Sequence, residues 1–241
     1  YLYTAATVDP IQLSRVGRGV PLVNDPGTVH AYTNYAYLLL GRIIEQVTGQ
    51  NYQAWMQANV LAPVGIGGMK LGVTPIAQRD PLEVVPYDRR ASTVGFYGVG
   101  SWPNVGAAQE YAEAAGQWIG SSMDLARVLA ALDGNATRPD LLSAGSLSTM
   151  WTRSAVLFPG SGNYYSLGWE NTAVTGGFAR EHPGGQDGGD SWISLFPNGA
   201  GIAVQFNLTR GQGNGGGTAE AAIRSVFGSI STWPAFDLFT Q

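Results

Sequence analysis

The chain contains no cysteine, which excludes disulfides, thiol nucleophiles and thiolate metal sites without indicating a compartment. Histidine is almost as scarce. His30 and His182 are the only two, and their separation along the chain argues against a histidine-rich zinc site. Lysine occurs once, at Lys70, and only 12% of residues are charged, with a formal net charge of -4. A basic surface able to hold a phosphate backbone is therefore missing, and nucleic acid is not an expected partner. No apolar run approaches the ~18 residues that a membrane span requires. The opening "YLYTAATVDP" has neither the basic start nor the long apolar centre of a signal peptide. No membrane span is expected, and no export signal can be read.

What remains is a chain of 241 residues that are 44% apolar, enough for a real hydrophobic core. Residues 1–31 read as irregular and proline-punctuated, with a turn at Asp25-Pro26-Gly27. Helical spacing of Leu39, Ile43 and Val47 predicts a helix through "YAYLLLGRIIEQVTGQ", closed by a left-handed cap at Gly49. A second helix is expected from Asn51, burying Tyr52, Trp55, Met56 and Val60 and stopping before Pro63. Residues 62–113 read as long loops with short elements. The clearest helix is "GSSMDLARVLAALDG": Ser121 and Asp124 make a capping box, Leu125, Val128, Leu129 and Leu132 make one apolar face, and Gly134 ends it.

Beyond residue 160 the period changes. "YSLGWE", "GGFAREH", "DSWISLF" and "GIAVQFN" read as strands, the last two joined by Pro197-Asn198-Gly199 as a hairpin. The glycine-rich "GQGNGGG" leads into a final helix from about Thr218, with an apolar stripe at Ala222, Ile223, Val226, Phe227 and Ile230. The class is α/β of the α+β type: an antiparallel sheet flanked by helices, plus a helix-rich region. The expected division is a helix-rich part over 1–163 with long loops, and sheet strands with a terminal helix over 164–241, both within one fold.

Two short stretches carry chemistry. Tyr32-Thr33-Asn34 stands directly before an apolar helix, so Tyr32 and Asn34 can both project from the connection. "HPGGQDGGDSW" places one of the two histidines at a glycine-rich strand. Together they resemble the Tyr-x-Asn and Lys-Thr-Gly elements of the serine β-lactamase and penicillin-binding-protein superfamily. The resemblance is to its class C β-lactamase-like branch of esterases and D-aminopeptidases, in which His often replaces the lysine of the third motif. "AAGQWIGSSMDLARVLAAL", "YSLGWE" and the final hairpin resemble further segments of that family, so the likeness spans most of residues 22–232.

The resemblance implies a β-lactamase/transpeptidase-like fold and hydrolysis of an ester, amide or β-lactam through an acyl-enzyme, without metal or organic cofactor. It implies Tyr32 as proton carrier and His182 as its partner, supplying charge, orienting the phenol or binding a substrate carboxylate. Asn34, Gly184 and Gly185 become substrate-binding positions, with the Gly185 N–H aimed at the oxyanion. A free tyrosine titrates near ~10, so Tyr32 can act as a base at neutral pH only beside stabilising cations.

One departure is serious. Gly67 stands three positions before Lys70, so the nucleophile motif Ser-x-x-Lys does not occur in these residues. The expectation is a C-terminal part of a longer protein, incomplete at its N-terminus, inactive alone, and partnered by its own N-terminal fragment or a second copy. Periplasmic or secreted localisation follows from the resemblance only. The alternative is a non-catalytic ligand- or peptidoglycan-binding protein on the same fold.

Plainer readings compete at single positions. Tyr32 and Asn34 would serve as a turn and helix cap, His182 as a strand-end partner of Glu181, and His30 as a surface residue. "GQGNGG" formally matches a dinucleotide-binding glycine pattern, but too little chain follows to complete a βαβ unit. Asp187 and Asp190 fall short of a calcium loop. Trp55, Trp118, Trp169 and Trp192 read as core, with Trp118 and Trp192 flanking the expected cleft.

Overall fold

A computed structural model describes residues 10–73, 78–85, 87–88, 112–135, 137–158, 161–186, 189–209 and 215–233. The described residues open with helix α1 (Pro10–Gly17), where an irregular segment was expected. Proline at the first helical position costs no hydrogen bond and presets φ, so here it starts a helix. The turn at Asp25-Pro26-Gly27 is present, closed by Thr28 N–H donating to the Asp25 carbonyl at 3.2 Å with Gly27 at φ 77°.

Helix α2 (Asn34–Thr48) ends on Gly49 at φ 69°, whose N–H reaches the Glu45 carbonyl. Its buried face differs from the expected one: Leu38 and Gly41 are buried, whereas Ile43 and Val47 are 54% and 78% exposed. Gly41 explains the choice. The 3₁₀ turn Glu113–Ala115 packs so close that a β-carbon at position 41 would stand 2.7 Å from that of Ala114. Arg42 then pairs with both Glu45 and the buried Glu113, fixing the same face inward.

Asn51 caps helix α3 (Tyr52–Met56), accepting from the Ala54 N–H at 3.2 Å. The helix does not stop before Pro63 but loosens into a π turn (Gln57–Leu61) and tightens into a 3₁₀ turn (Ala62–Val64) that contains the proline. Short strands β1 (Lys70–Leu71) and β3 (Trp118–Ile119) pair antiparallel, while β2 (Tyr87–Asp88) pairs with β9 (Leu208–Thr209). Helix α4 (Ser122–Ala130) carries the expected capping box. Its apolar face divides between two cores: Leu125 and Val128 pack with Leu61, Ile66 and Met69, and Leu129 and Leu132 with Trp169 and Leu195. Helix α5 (Ala144–Met150), capped by Ser143, was not expected.

The C-terminal sheet has the order β4-β5-β6-β7-β8, antiparallel throughout: β4 (Tyr164–Tyr165), β5 (Glu170–Val174), β6 (Gly177–Gln186), β7 (Gly189–Leu195) and β8 (Gly201–Phe206). "YSLGWE" is not one strand. Ser166 N–H returns to the Trp169 carbonyl at 2.8 Å, and Gly168 takes φ 88°, so a turn separates β4 from β5. The expected hairpin joins β7 and β8 through Asn198 and Gly199, the latter at φ 83°.

Side chains alternate across the sheet. Ile193 and Leu195 meet the α4 side, while Trp192 lies against Arg224 of helix α6 (Gly215–Ser229) on the other. Helix α6 begins earlier than expected and rests on the sheet through Phe227, stacked on Phe196 at 5.3 Å. Val226 and Ile230 of the expected stripe are 65% and 38% exposed. The glycine loop at 210–214 and Asp187 lie outside the described residues. No described helix is long and apolar enough to cross a membrane.

Candidate active site

The connection into α2 determines where Tyr32 points. Thr33 is the helix cap, extended at φ -151° and ψ 124°, and its hydroxyl accepts from the Tyr35 N–H at 3.2 Å. An extended residue between them sends Tyr32 and Asn34 to one side. Asn34 is therefore not the cap; it is the first helical residue and is exposed.

His182 arrives from the middle of β6. Its register partner is Ile193, so it shares the face that meets the α4 side, whereas Glu181 turns to the opposite face and pairs with Arg224. Glu181 is thus no partner of His182. The two rings expected to meet do meet: the centroids of Tyr32 and His182 are 6.2 Å apart, tilted by 44°.

Two residues unremarked in the sequence complete the cluster. Tyr165, at the end of β4, lies 6.3 Å from Tyr32 and 6.1 Å from His182 by centroids, and its hydroxyl stands 3.0 Å from His182 Nε2. Tyr37, in the first turn of α2, brings its hydroxyl 3.4 Å from that of Tyr165. His30 is half-buried rather than a free surface residue, packed edge-on to Phe158 at 4.5 Å and 5.6 Å from Tyr165. The signal available in the sequence was the run of tyrosines after Tyr32, at Tyr35 and Tyr37, and the Tyr164-Tyr165 pair ahead of the second motif, which are indistinguishable from core packing without contacts.

The electrostatics hold the rings of the site in their neutral forms. Burial raises the Tyr32 phenol above its usual range, and the neighbouring Tyr37 and Glu170 raise it further. Tyr165 is driven strongly upward, chiefly by burial. Burial lowers His182 below the ordinary histidine range, outweighing the Pro183 carbonyl, which favours the cation. The imidazole is therefore neutral near pH 7. It does not supply the positive charge that a Tyr32 phenolate would need.

Gly184 and Gly185 follow His182 on β6, opposite Ser191 and Asp190. A β-carbon at 184 would fall on the Ser191 hydroxyl, which would have to rotate away. Trp192 does not flank this face: its indole N–H donates to Glu181 at 3.2 Å beneath Arg224. Trp118 instead donates to the Tyr52 hydroxyl at 3.0 Å. A cavity of about 260 Å³ lies elsewhere, lined by Pro63, Arg127, Arg138 and Pro139 among others, and shares no residue with the aromatic cluster. The described residues contain no group of three or more histidine or acidic side chains able to hold a metal ion.

This arrangement of sheet and helices has counterparts among known proteins. The Beta-lactamase family profile matches residues 1–226. The chain belongs to that family. The human protein "Putative beta-lactamase-like 1" is 31% identical over 182 residues, which cover 73% of this chain and 33% of that protein. D-amino acid amidase from Ochrobactrum anthropi SV3, in complex with L-phenylalanine amide, superposes with a TM-score of 0.72 at 19% identity, covering 95% of this chain and 66% of the amidase. D-stereospecific amidohydrolase from Streptomyces sp. gives a TM-score of 0.67 at 24% identity, over 85% of this chain and 58% of that enzyme.

The chain thus spans a third of its human relative and less than two thirds of the amidohydrolase. These likenesses establish the α/β fold, a multi-stranded antiparallel sheet flanked by helices in the β-lactamase/transpeptidase manner.

Proposed function

We propose that this chain is the part of a serine hydrolase, of the class C β-lactamase-like branch, that carries the Tyr-x-Asn and His-Pro-Gly elements. Its nucleophile comes from a Ser-x-x-Lys segment outside residues 1–241. The observation that carries this reading is the meeting of Tyr32 and His182 at 6.2 Å, from two motifs far apart in the sequence. A turn residue and a strand-end histidine have no reason to converge on one site, whereas two parts of an acyl-transfer centre do.

In the proposed reaction the serine hydroxyl attacks an ester, amide or β-lactam carbonyl. Tyr32 takes the hydroxyl proton and returns it to the leaving group, after which water repeats the exchange on the acyl-enzyme. The Gly185 N–H donates to the oxyanion, and Asn34 holds the acyl group. Since Tyr32 rests as a neutral phenol in this chain, its service as a base requires a cation brought by the nucleophile segment; the lysine of that motif supplies one. His182, neutral and bonded through both ring nitrogens, serves by position rather than by charge. The relatives named for amidase activity support an amide among the substrates of the complete protein.

The test is labelling by a fluorophosphonate probe. The 241-residue chain alone stays unlabelled, the chain produced with its encoded upstream sequence becomes labelled, and a Ser→Ala change in that sequence abolishes the label. Failure to label the longer protein would favour the non-catalytic binding protein.

A further inference from the structure

His182 is held at both nitrogens. Nδ1 lies 2.7 Å from the Pro183 carbonyl, which can only accept, so Nδ1 carries the proton. In the neutral ring Nε2 is then an acceptor, and the Tyr165 hydroxyl 3.0 Å away donates to it. With that proton committed, the Tyr165 oxygen is free to accept, and the Tyr37 hydroxyl at 3.4 Å is its donor. The result is a directed relay from Tyr37 to Tyr165 to His182 to the Pro183 carbonyl. Each link strengthens the next.

We propose that Tyr165 is a positioning residue that locks His182 in its Nδ1–H tautomer, with both ring nitrogens engaged by groups other than Tyr32. Tyr37 is the outer donor of the lock. The catalytic meaning of the lock rests on the reading of His182 as part of an acyl-transfer site, but the lock itself does not.

Its construction follows from local sequence. Tyr165 ends β4 just before the Ser166–Gly168 turn, and Gly168 is doubly constrained: its backbone is left-handed at φ 88°, and a β-carbon there would stand 3.3 Å from the Tyr37 hydroxyl. The glycine lets α2 approach β4 closely enough for the two phenols to meet. The groups surrounding the imidazole are Tyr32, Tyr37 and Tyr165, with His30 beyond Tyr165 and Glu170 opposite Tyr165 in the β4–β5 pair. On its own strand, Arg180 lies over Trp151 and Glu181 pairs with Arg224. No described cation replaces the phenol as a partner of Nε2.

The experiment is ¹⁵N NMR of the chain labelled at histidine. With only His30 and His182 present, a His30→Asn variant assigns the spectrum. The expected result is a neutral His182 protonated at Nδ1, the minor tautomer of free histidine. In Tyr165→Phe the two tautomers mix, and the His182 titration midpoint moves up by about half to one pH unit, the worth of one neutral hydrogen bond. Tyr37→Phe shifts both in the same direction by less. A wild-type His182 protonated at Nε2, or a Tyr165→Phe spectrum and midpoint unchanged from wild type, overturns the proposal. The wild-type tautomer and the Tyr37→Phe variant decide the matter should Tyr165→Phe not fold. None of these readouts uses a substrate, so an inactive protein with the expected tautomer overturns the enzymatic reading alone.

Discussion

Glu181 and His182 are neighbours on β6 that belong to different halves of the molecule. Glu181, 4% exposed, looks toward α6 and pairs with Arg224, while His182 looks toward α2 and meets Tyr32 and Tyr165. One strand thus carries a structural ion pair on one face and a candidate chemical group on the other. Substitutions at the two positions should separate stability from function.

The Arg224 guanidinium caps the face of Trp192 at 4.5 Å as well as pairing with Glu181, whose same oxygen accepts from the Trp192 indole at 3.2 Å. Arg224→Met strands a buried carboxylate on one neutral donor. A full loss of a buried partner costs ~3–5 kcal/mol, and the partial exposure of Arg224 reduces the expectation to about 2–3 kcal/mol. Glu181→Gln combined with Arg224→Met should recover at least half of that loss. Urea denaturation of the single and double variants measures both, and additive losses would refute the coupling.

Tyr32 is the opposite case. Its side chain is 52% exposed, so Tyr32→Phe should leave folding stability within about 0.5 kcal/mol of wild type. In the complete protein the same substitution should lower kcat/KM by roughly 10²–10⁴-fold, the contribution of a positioned proton carrier. Parallel melting curves and ester or amide hydrolysis rates check the two halves. A full-activity Tyr32→Phe protein would remove Tyr32 from the mechanism.

Much of this was legible in residue patterns, for physical reasons that differ by element. The α4 capping box and the β7–β8 hairpin depend on contacts within a few residues and were readable from spacing. The Tyr32 and His182 pairing rested on motif resemblance, and the geometry brings them together. The buried face of α2 was not legible, because the choice between Leu38 and Ile43 is made by Gly41 against Ala114 and by Arg42 against Glu113. These are contacts with a turn far along the chain. Helix α1 was hidden by a proline that starts a helix as readily as it breaks one. Tyr165 and Tyr37 were hidden because a tyrosine beside a strand or within a helix reads as core until its hydroxyl is seen to have a partner.

The pH dependence of stability has a definite sign. Burial depresses His182 in the folded state, so between its folded value and the ordinary value near ~6.5 the unfolded chain binds more protons. Stability held above pH 6.5 is therefore lost as pH falls toward and through the folded value. The raised phenols of Tyr32, Tyr52 and Tyr165 act at the other end, contributing stability below pH ~10 that is lost as pH rises beyond it. Thermal melting at pH 7.5 and 5.5 should show a lower Tm at the acid value, with a smaller difference in His182→Gln. Equal differences in the two proteins would show that other groups carry the acid effect.

Gly184 tests the geometry beside His182 most directly. A β-carbon there would land on the Ser191 hydroxyl oxygen, while the Ser191 β-carbon itself stands 3.6 Å away, an ordinary contact. The conflict is therefore with one oxygen atom. Gly184→Ala alone should cost no more than about 1 kcal/mol, the cost of turning the Ser191 hydroxyl out of the way. Adding Ser191→Ala removes the oxygen and should restore most of the stability, although Ser191→Ala alone gains nothing comparable. A non-additive recovery measured by denaturant unfolding would establish that glycine is held at 184 by its cross-strand neighbour. Equal losses with and without the Ser191 hydroxyl would instead point to backbone geometry in the His-Pro-Gly segment.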